Sequence, residues 1–245
     1  MFRHRPFAFA ALTLALCACQ QRTADDGRAP GARAFPKAER PFSEVTGAAF
    51  GSEADRDRMG EARAVMDLAR VAPGMTVADI GAGGGYYTVH LAERVGTKGR
   101  VLAEDIDPQV TEALGARVMR DGLDNVSIKL GKADDPSLPP RSFDRIFMVH
   151  MYHEVAEPYA FLWHLRPALH SGGKVIVVDR DRGTGAHGIP PALLFCEMAA
   201  VGFRLTEFVR KPELQGYYAQ FEAVGARPAP EKIVPCRVPG GTQAD

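Results

Sequence analysis

The chain has 245 residues, 46% hydrophobic and 24% charged, a composition that excludes a disordered polymer and suits one α/β domain with a full-sized core. Basic and acidic side chains number 30 each, so the formal charge is zero and no polyanion-binding field is present. Nucleic acid is therefore a poor partner for this chain.

In chain order, the opening "MFRHRPFAFAALTLALCACQQ" carries Arg3 and Arg5 and then an apolar run from Phe7 to Ala18, broken by one Thr. The run is short for a bilayer span and suits the core of an export signal. With Leu16, Ala18 and Cys19 it resembles the bacterial lipoprotein signal, although Cys17 is unusual in the variable slot. A plain secretory signal or an N-terminal anchor is the alternative. The resemblance implies a signal peptide over residues 1–18, a lipid anchor on Cys19, and a place on the periplasmic face of a membrane. Gln20, in place of Asp, leans towards the outer membrane. Residues 19–42, rich in Arg, Ala, Gly and Pro, read as a flexible tether. Two cysteines then remain, Cys196 and Cys236, and the sequence leaves open whether they pair.

Residues 56–71 place Met59, Ala62, Val65, Met66 and Ala69 at helical spacing, and "APG" stops the helix. Strands follow at 75–80, 99–107, 126–131, 143–151 and 174–181, alternating with helices at 86–95, 108–121, 156–169 and 190–201. Asp107 and Pro108 fit the cap and first turn of the helix they open. "FRLTEFVRK" and "GYYAQFEAV" form a hairpin. The expected fold is α/β: a doubly wound, mostly parallel seven-stranded sheet with helices on both faces and a C-terminal antiparallel hairpin. The domain is placed at 43–224, with 225–245 as a tail.

The first strand ends in "VADIGAGGGYYT", and a glycine turn there faces the ligand edge of a doubly wound sheet. From Gly81 the dinucleotide fingerprint fails at Tyr86, and no P-loop is present. Asp79, Gly81, Gly83 and Gly85 instead form Asp-x-Gly-x-Gly-x-Gly, which resembles the first motif of the class I S-adenosylmethionine-dependent methyltransferases. Further stretches agree in order: "AEDIDP", "GKADDPSLPPRSFDRIFMVH" and "LRPALHSGGKVIVVD". The resemblance covers residues 56–182. It implies S-adenosylmethionine as cofactor. Asp79 would then meet the methionine amino end, and Asp105 the ribose diol. Asp134 would meet the adenine amino group, with Asp135 as runner-up. Strand alternation turns the competing Glu104 away. Tyr86 or Tyr87 packs over the ligand or belongs to the core.

For the chemistry, "HMYHEVAEP" follows the fourth strand and offers His150, His153 and Glu154. His153 leads as catalytic base, with Glu154 second; loop positioning is the competing reading. The His-x-x-His-Glu spacing is no zinc-protease pattern, so no metal is expected. His187 lies in a glycine-rich loop that can cover the site as a lid, and Arg180 and Arg182 near the fifth strand's end can attract an acidic acceptor, a solvated loop being the alternative; Arg56, Asp57 and Arg58 before the first helix border the acceptor pocket by position alone. The expected activity is methyl transfer to a small-molecule acceptor, with the membrane met only through the lipid anchor. An exported chain meets no obvious cofactor supply, so an envelope-anchored non-catalytic binding or interaction protein is the alternative.

Overall fold

A computed structural model describes residues 26–44, 51–211 and 216–237. Its centre is a seven-stranded sheet built from β1 (Thr76–Ile80), β2 (Arg100–Asp105), β3 (Val126–Leu130), β4 (Phe143–Val149), β5 (Leu169–Arg180), β6 (Phe203–Lys211) and β7 (Gly216–Ala223). The order is β3-β2-β1-β4-β5-β7-β6. The first five strands run parallel, while β7 is antiparallel to β5 and β6, as the hairpin predicted. The order reverses between β1 and β4, which puts a crevice at the carboxyl ends of these two strands.

The central strands read as unbroken apolar runs because both their faces are covered. Along β1, Val77 faces a core with Val101, Phe147 and Ile176, while Ala78 and Ile80 face the opposite core with Ile146, Met148 and Val177. The first core is closed by α2 (Glu61–Leu68) and α3 (Tyr86–Val95), the second by α5 (Pro158–Leu165) and α6 (Pro191–Ala200). Asp107 caps α4 (Pro108–Arg120) as expected, its side chain accepting from the Gln109 amide at 2.8 Å.

Three expectations change. The helix read over 56–71 is two helices, α1 (Glu53–Arg58) and α2, separated by Gly60 in a left-handed conformation (φ 66°). The helix read over 156–169 ends at Leu165 and continues as a 3-10 turn, Arg166–Ala168, because Pro167 offers no amide hydrogen. The tether read over 19–42 lies against the domain in its described part. Arg28 reaches both carboxylate oxygens of Glu157 (2.7 and 2.6 Å), Ala32 and Phe35 are buried, and Arg40 reaches Glu197 at 2.7 Å. Composition misled here because the arginines are spent on buried acids of the domain rather than on solvent. The described part of the segment read as a tail, 225–237, behaves likewise: Ile233 and Cys236 are buried, and Cys236 is bonded to Cys196. The signal peptide and Cys19 lie outside the described residues. Among the described residues, no helix is long and apolar enough to cross a membrane.

Candidate functional site

The turn from β1 into α3 is shaped by its glycines. Gly81, Gly83 and Gly85 all have positive φ (65°, 53° and 88°), a region that costs a side-chain-bearing residue energy. At Gly81 an added Cβ would lie 2.9 Å from Cγ of Met151, and at Gly85 it would lie 2.4 Å from Leu114. Around Gly83 and Gly84 the space is open, so the backbone there is available for close approach.

Two carboxylates flank the turn. Asp105, at the end of β2, accepts from the Gly83 amide (2.9 Å) and from the Asp107 amide (3.1 Å) through different oxygens. Each oxygen keeps a second lone-pair direction, which is what a diol needs. Asp79 is buried at the end of β1 and accepts from the Thr88 hydroxyl at 2.6 Å. Burial raises its pKa; the Thr88 hydrogen bond and nearby Arg56 lower it, the Asp105 charge raises it again, and the result is about 6. A cationic amino group beside it stabilises its ionised form.

Glu104 points away from Asp105, as alternation predicts. Its carboxyl occupies the space over Gly131, where an added Cβ would sit 1.6 Å from Oε1. Oε1 is buried and has no hydrogen-bond partner among the described residues. Burial first, and then the Asp105 charge, push its pKa up to about 8, so the group carries a proton at neutral pH. The unfolded chain ionises at the ordinary value of 4.5, so Glu104 costs stability progressively as pH rises from 4.5 to 8, with no further loss above 8. Glu104→Gln is expected to raise unfolding stability at pH 7.5 by about 1–3 kcal/mol, and the gain to vanish near pH 4.5. Paired denaturant melts at the two pH values measure it, and an equal effect at both would contradict the protonated assignment.

Asp134 and Asp135 differ in their surroundings. Asp135 is engaged in its own turn, its Oδ1 accepting from the Ser137 amide at 2.6 Å. Asp134 is buried, and its carbonyl accepts from His164 Nδ1 at 2.9 Å. Its carboxylate lies so close to Gly31 that a Cβ there would sit 2.4 Å from Oδ2. The 3-10 turn Pro30–Ala32 thus forms a wall beside Asp134, which the tether reading missed. Sequence reading also passed over Ile106, 41% exposed directly after Asp105. An exposed aliphatic side chain beside the Asp105 carboxylate is a flat apolar surface at the crevice; its signal was an apolar residue between two acids.

Tyr86 and Tyr87 belong to the core rather than to the crevice. Their hydroxyls donate to Asp57 (3.0 Å) and Glu61 (3.1 Å), and the Arg56 guanidinium lies 3.9 Å over the Tyr86 ring. Arg56 also donates twice to Glu61 (3.1 and 2.6 Å). Burial pushes Glu61 up, but His150 and Arg56 together hold it at about 2. Arg58 pairs with Asp55 on the exposed face of α1, away from this network.

On the acceptor side, His150 and His153 part company. His150, in a left-handed conformation (φ 56°), places Nε2 3.6 Å from Glu61. His153, in the 3-10 turn Tyr152–Glu154, is fully buried, and its Nδ1 lies 2.9 and 3.0 Å from the two oxygens of Asp179. Asp179 sits near the end of β5 with no exposure and went unrecognised in "VIVVDRD". Glu154 Oε1 lies 3.9 Å from His153 Nε2, and the His187 ring packs edge-on at 5.7 Å. Ser43 ties the N-terminal segment over this group: its amide donates to the His153 carbonyl (3.2 Å), its hydroxyl donates to the Thr184 carbonyl (2.6 Å) and accepts from the His187 amide (3.0 Å). Arg180 donates its backbone amide to Asp179 at 2.7 Å, with its side chain half-buried beside the same group.

Residues 77–173 match the methyltransferase domain family. The fold is that of the class I methyltransferases. A solved S-adenosylmethionine-dependent methyltransferase from Aquifex aeolicus superposes with a TM-score of 0.59 at 23% identity, covering 70% of this chain and 97% of the other. Nocamycin O-methyltransferase of Saccharothrix syringae is 40% identical over 83 residues, 34% of this chain and 30% of its own. Aklanonic acid methyltransferase DauC of Streptomyces sp. (strain C5) is 30% identical over 138 residues, 54% of this chain and 63% of its own. The chain spans less than two thirds of the length of these curated relatives. The matched span of the methyltransferase domain runs from β1 through the start of β5 and so contains the glycine turn, Asp105, Asp134, His153 and Glu154.

S-adenosylmethionine is the cofactor that this domain implies, and the residues present fit it: an open glycine backbone, a diol-binding carboxylate beside it, and a buried carboxylate for a cationic amino end. A pH dependence follows from Asp79. Its proton must leave before it can pair with the cofactor's ammonium, so affinity falls as pH drops through about 6. Calorimetry is expected to show binding roughly tenfold weaker at pH 5 than at pH 7. Asp79→Asn should flatten this dependence, and a variant that keeps the full slope would assign it to another group.

Proposed function

We propose that this protein transfers a methyl group from S-adenosylmethionine to a small-molecule acceptor. The observation that carries the reading is the Asp105 carboxylate clamped onto the Gly83 amide beside an open glycine backbone, with Asp79 buried behind it. The curated relatives support a small organic acceptor, since their names specify nocamycin and aklanonic acid. The glycine turn, with Asp79 buried behind it and Asp105 bonded to it, supports the catalytic reading over the non-catalytic one.

The cofactor supplies an electrophilic methyl on a sulfonium. The chain would supply placement: Asp79 would hold the amino end, Asp105 the ribose and Asp134 the adenine edge. In-line placement of donor and acceptor alone can lower the barrier by roughly 7–11 kcal/mol. On the acceptor side, a group must take a proton from the acceptor or hold its oxygen. His153, oriented by Asp179, and Glu154 are the groups placed there.

The test is release of S-adenosylhomocysteine by the full chain in the presence of phenolic, carboxylic and 1,3-dicarbonyl acceptors, preceded by calorimetry with the cofactor alone. Micromolar cofactor binding with acceptor-dependent release supports the reading; no binding at millimolar cofactor overturns it. We further propose a lipoprotein on the periplasmic face of the outer membrane. The bond between Cys196 and Cys236 supports an oxidising compartment. Palmitate labelling that survives Cys19→Ala would reject the anchor.

A further inference from the structure

We propose that His153, Glu154 and His187 form a binding site for one divalent transition-metal ion, most suited to zinc. The site is drawn from side-chain geometry alone and does not rest on the methyl-transfer reading.

The three residues come from two separate segments: His153 and Glu154 from the turn after β4, and His187 from the loop between β5 and α6. Each offers one donor atom, and these atoms all lie within 4.8 Å of one another. A tetrahedral ion at ~2.0–2.1 Å from each donor needs them ~3.3 Å apart. His153 Nε2 and Glu154 Oε1 lie 3.9 Å apart. Closing the set needs shifts on the order of 1 Å, and the half-buried Glu154 and His187 side chains are the ones placed to make them.

Asp179 makes this more than a chance cluster. Its carboxylate accepts from the His153 Nδ1–H at 2.9 and 3.0 Å, which fixes the tautomer and leaves the Nε2 lone pair on the side of Glu154 and His187. A carboxylate behind a histidine is the usual support of a histidine ligand. Both residues are completely buried, so the ring cannot rotate freely away. His187 is independently held. Its backbone is in a left-handed conformation (φ 53°), and its amide donates to the Ser43 hydroxyl at 3.0 Å. Its Nδ1 is buried and has no hydrogen-bond partner among the described residues. An ion would relieve that atom, directly or by fixing the ring.

Two imidazoles and one carboxylate suit zinc or ferrous iron and leave positions open; magnesium and calcium prefer oxygen donors throughout. Glu154 and Asp179 together balance the double positive charge. The site lies past the carboxyl ends of β4 and β5.

The test uses the full chain, untagged, stripped with a chelator and titrated with zinc by competition calorimetry. Cobalt serves as a spectroscopic probe in parallel. One zinc per chain with a dissociation constant below about 1 μM, and visible cobalt bands, are expected. His187→Ala and Glu154→Gln should each weaken zinc at least 100-fold. Asp179→Asn should weaken it 10- to 100-fold. Circular dichroism confirms that the variants fold, and the half-buried Glu154→Gln stands in if the buried positions do not tolerate change. No stoichiometric uptake at tens of micromolar zinc, or uptake unchanged in His187→Ala and Glu154→Gln, overturns the site. S-adenosylmethionine affinity measured on the same samples keeps the two readings apart: cofactor binding without zinc rejects the metal site only.

Discussion

Asp105→Ala is expected to weaken S-adenosylmethionine binding about 100- to 1000-fold, measured by calorimetry on the full chain. On the proposed reading the carboxylate accepts from a ribose diol, and hydrogen bonds to a charged group contribute about 1.5–3 kcal/mol each. Two such bonds minus the water that replaces them give roughly 3–4 kcal/mol, which is the predicted range. A second loss adds to the first. The same carboxylate accepts from Gly83 and Asp107, so the alanine variant also releases the glycine turn from the end of β2. Asp105→Asn separates the two effects. It keeps one acceptor oxygen for a backbone amide but removes the charge and half of the diol contact, so a loss of about tenfold is expected. Global stability should change little for either variant, because Asp105 lies at the crevice end of its strand rather than in either apolar core. A Kd for the alanine variant within threefold of the parent would remove Asp105 from the cofactor site and with it the main support for the proposed reaction.

What the sequence made legible was local. The β1–turn–α3 unit, Asp105 and the Asp107 cap were readable because each is a pattern of a few adjacent residues obeying one rule: glycine for positive φ, alternation for facing, Asp before Pro for a helix start. Gly60 was equally local, yet the apolar spacing on either side of it hid the break, since a glycine inside a periodic stretch costs only about 1 kcal/mol and does not by itself forbid a helix. The acceptor side was partly legible. His153 and Glu154 stood out as types, but their partners did not, because Asp179 is 26 residues from His153 and looked like one more acid at a strand end. The N-terminal segment was misread for the same reason on a larger scale: Arg40 and Glu197 are 157 residues apart, and no composition window joins them. Buried ion pairs of this kind leave no periodic trace; they appear only when the topology brings their elements together.

Removing the Cys196–Cys236 bond is expected to lower stability by about 2–4 kcal/mol and the melting temperature by roughly 5–12 °C. The cross-link closes a chain segment of 40 residues, and constraining a loop of that length in the unfolded state contributes up to about 4 kcal/mol. Cys196 is exposed on α6, so reductant reaches the bond without global unfolding, while Cys236 is buried against the core beneath it. The bond does more than constrain the unfolded chain. It pins the segment that carries Ile233 into the core, lets the Cys236 amide donate to Tyr159 (2.6 Å), and keeps the Pro228 carbonyl on the Trp163 indole (2.8 Å) with Arg227 over its ring. Trp163 is the chain's single tryptophan and therefore reports on this segment alone. Reduction of the full chain, or the double variant Cys196→Ala with Cys236→Ala, should shift its emission to longer wavelength at temperatures where the sheet remains folded by circular dichroism. A loosened segment also frees the face of α5 on which Phe35 rests, at 5.3 Å from Trp163, so the N-terminal strap should become more sensitive to protease in the same samples. Unchanged emission together with a melting temperature within 1 °C of the parent would mean that packing alone holds the C-terminal segment and that the bond is dispensable to the fold.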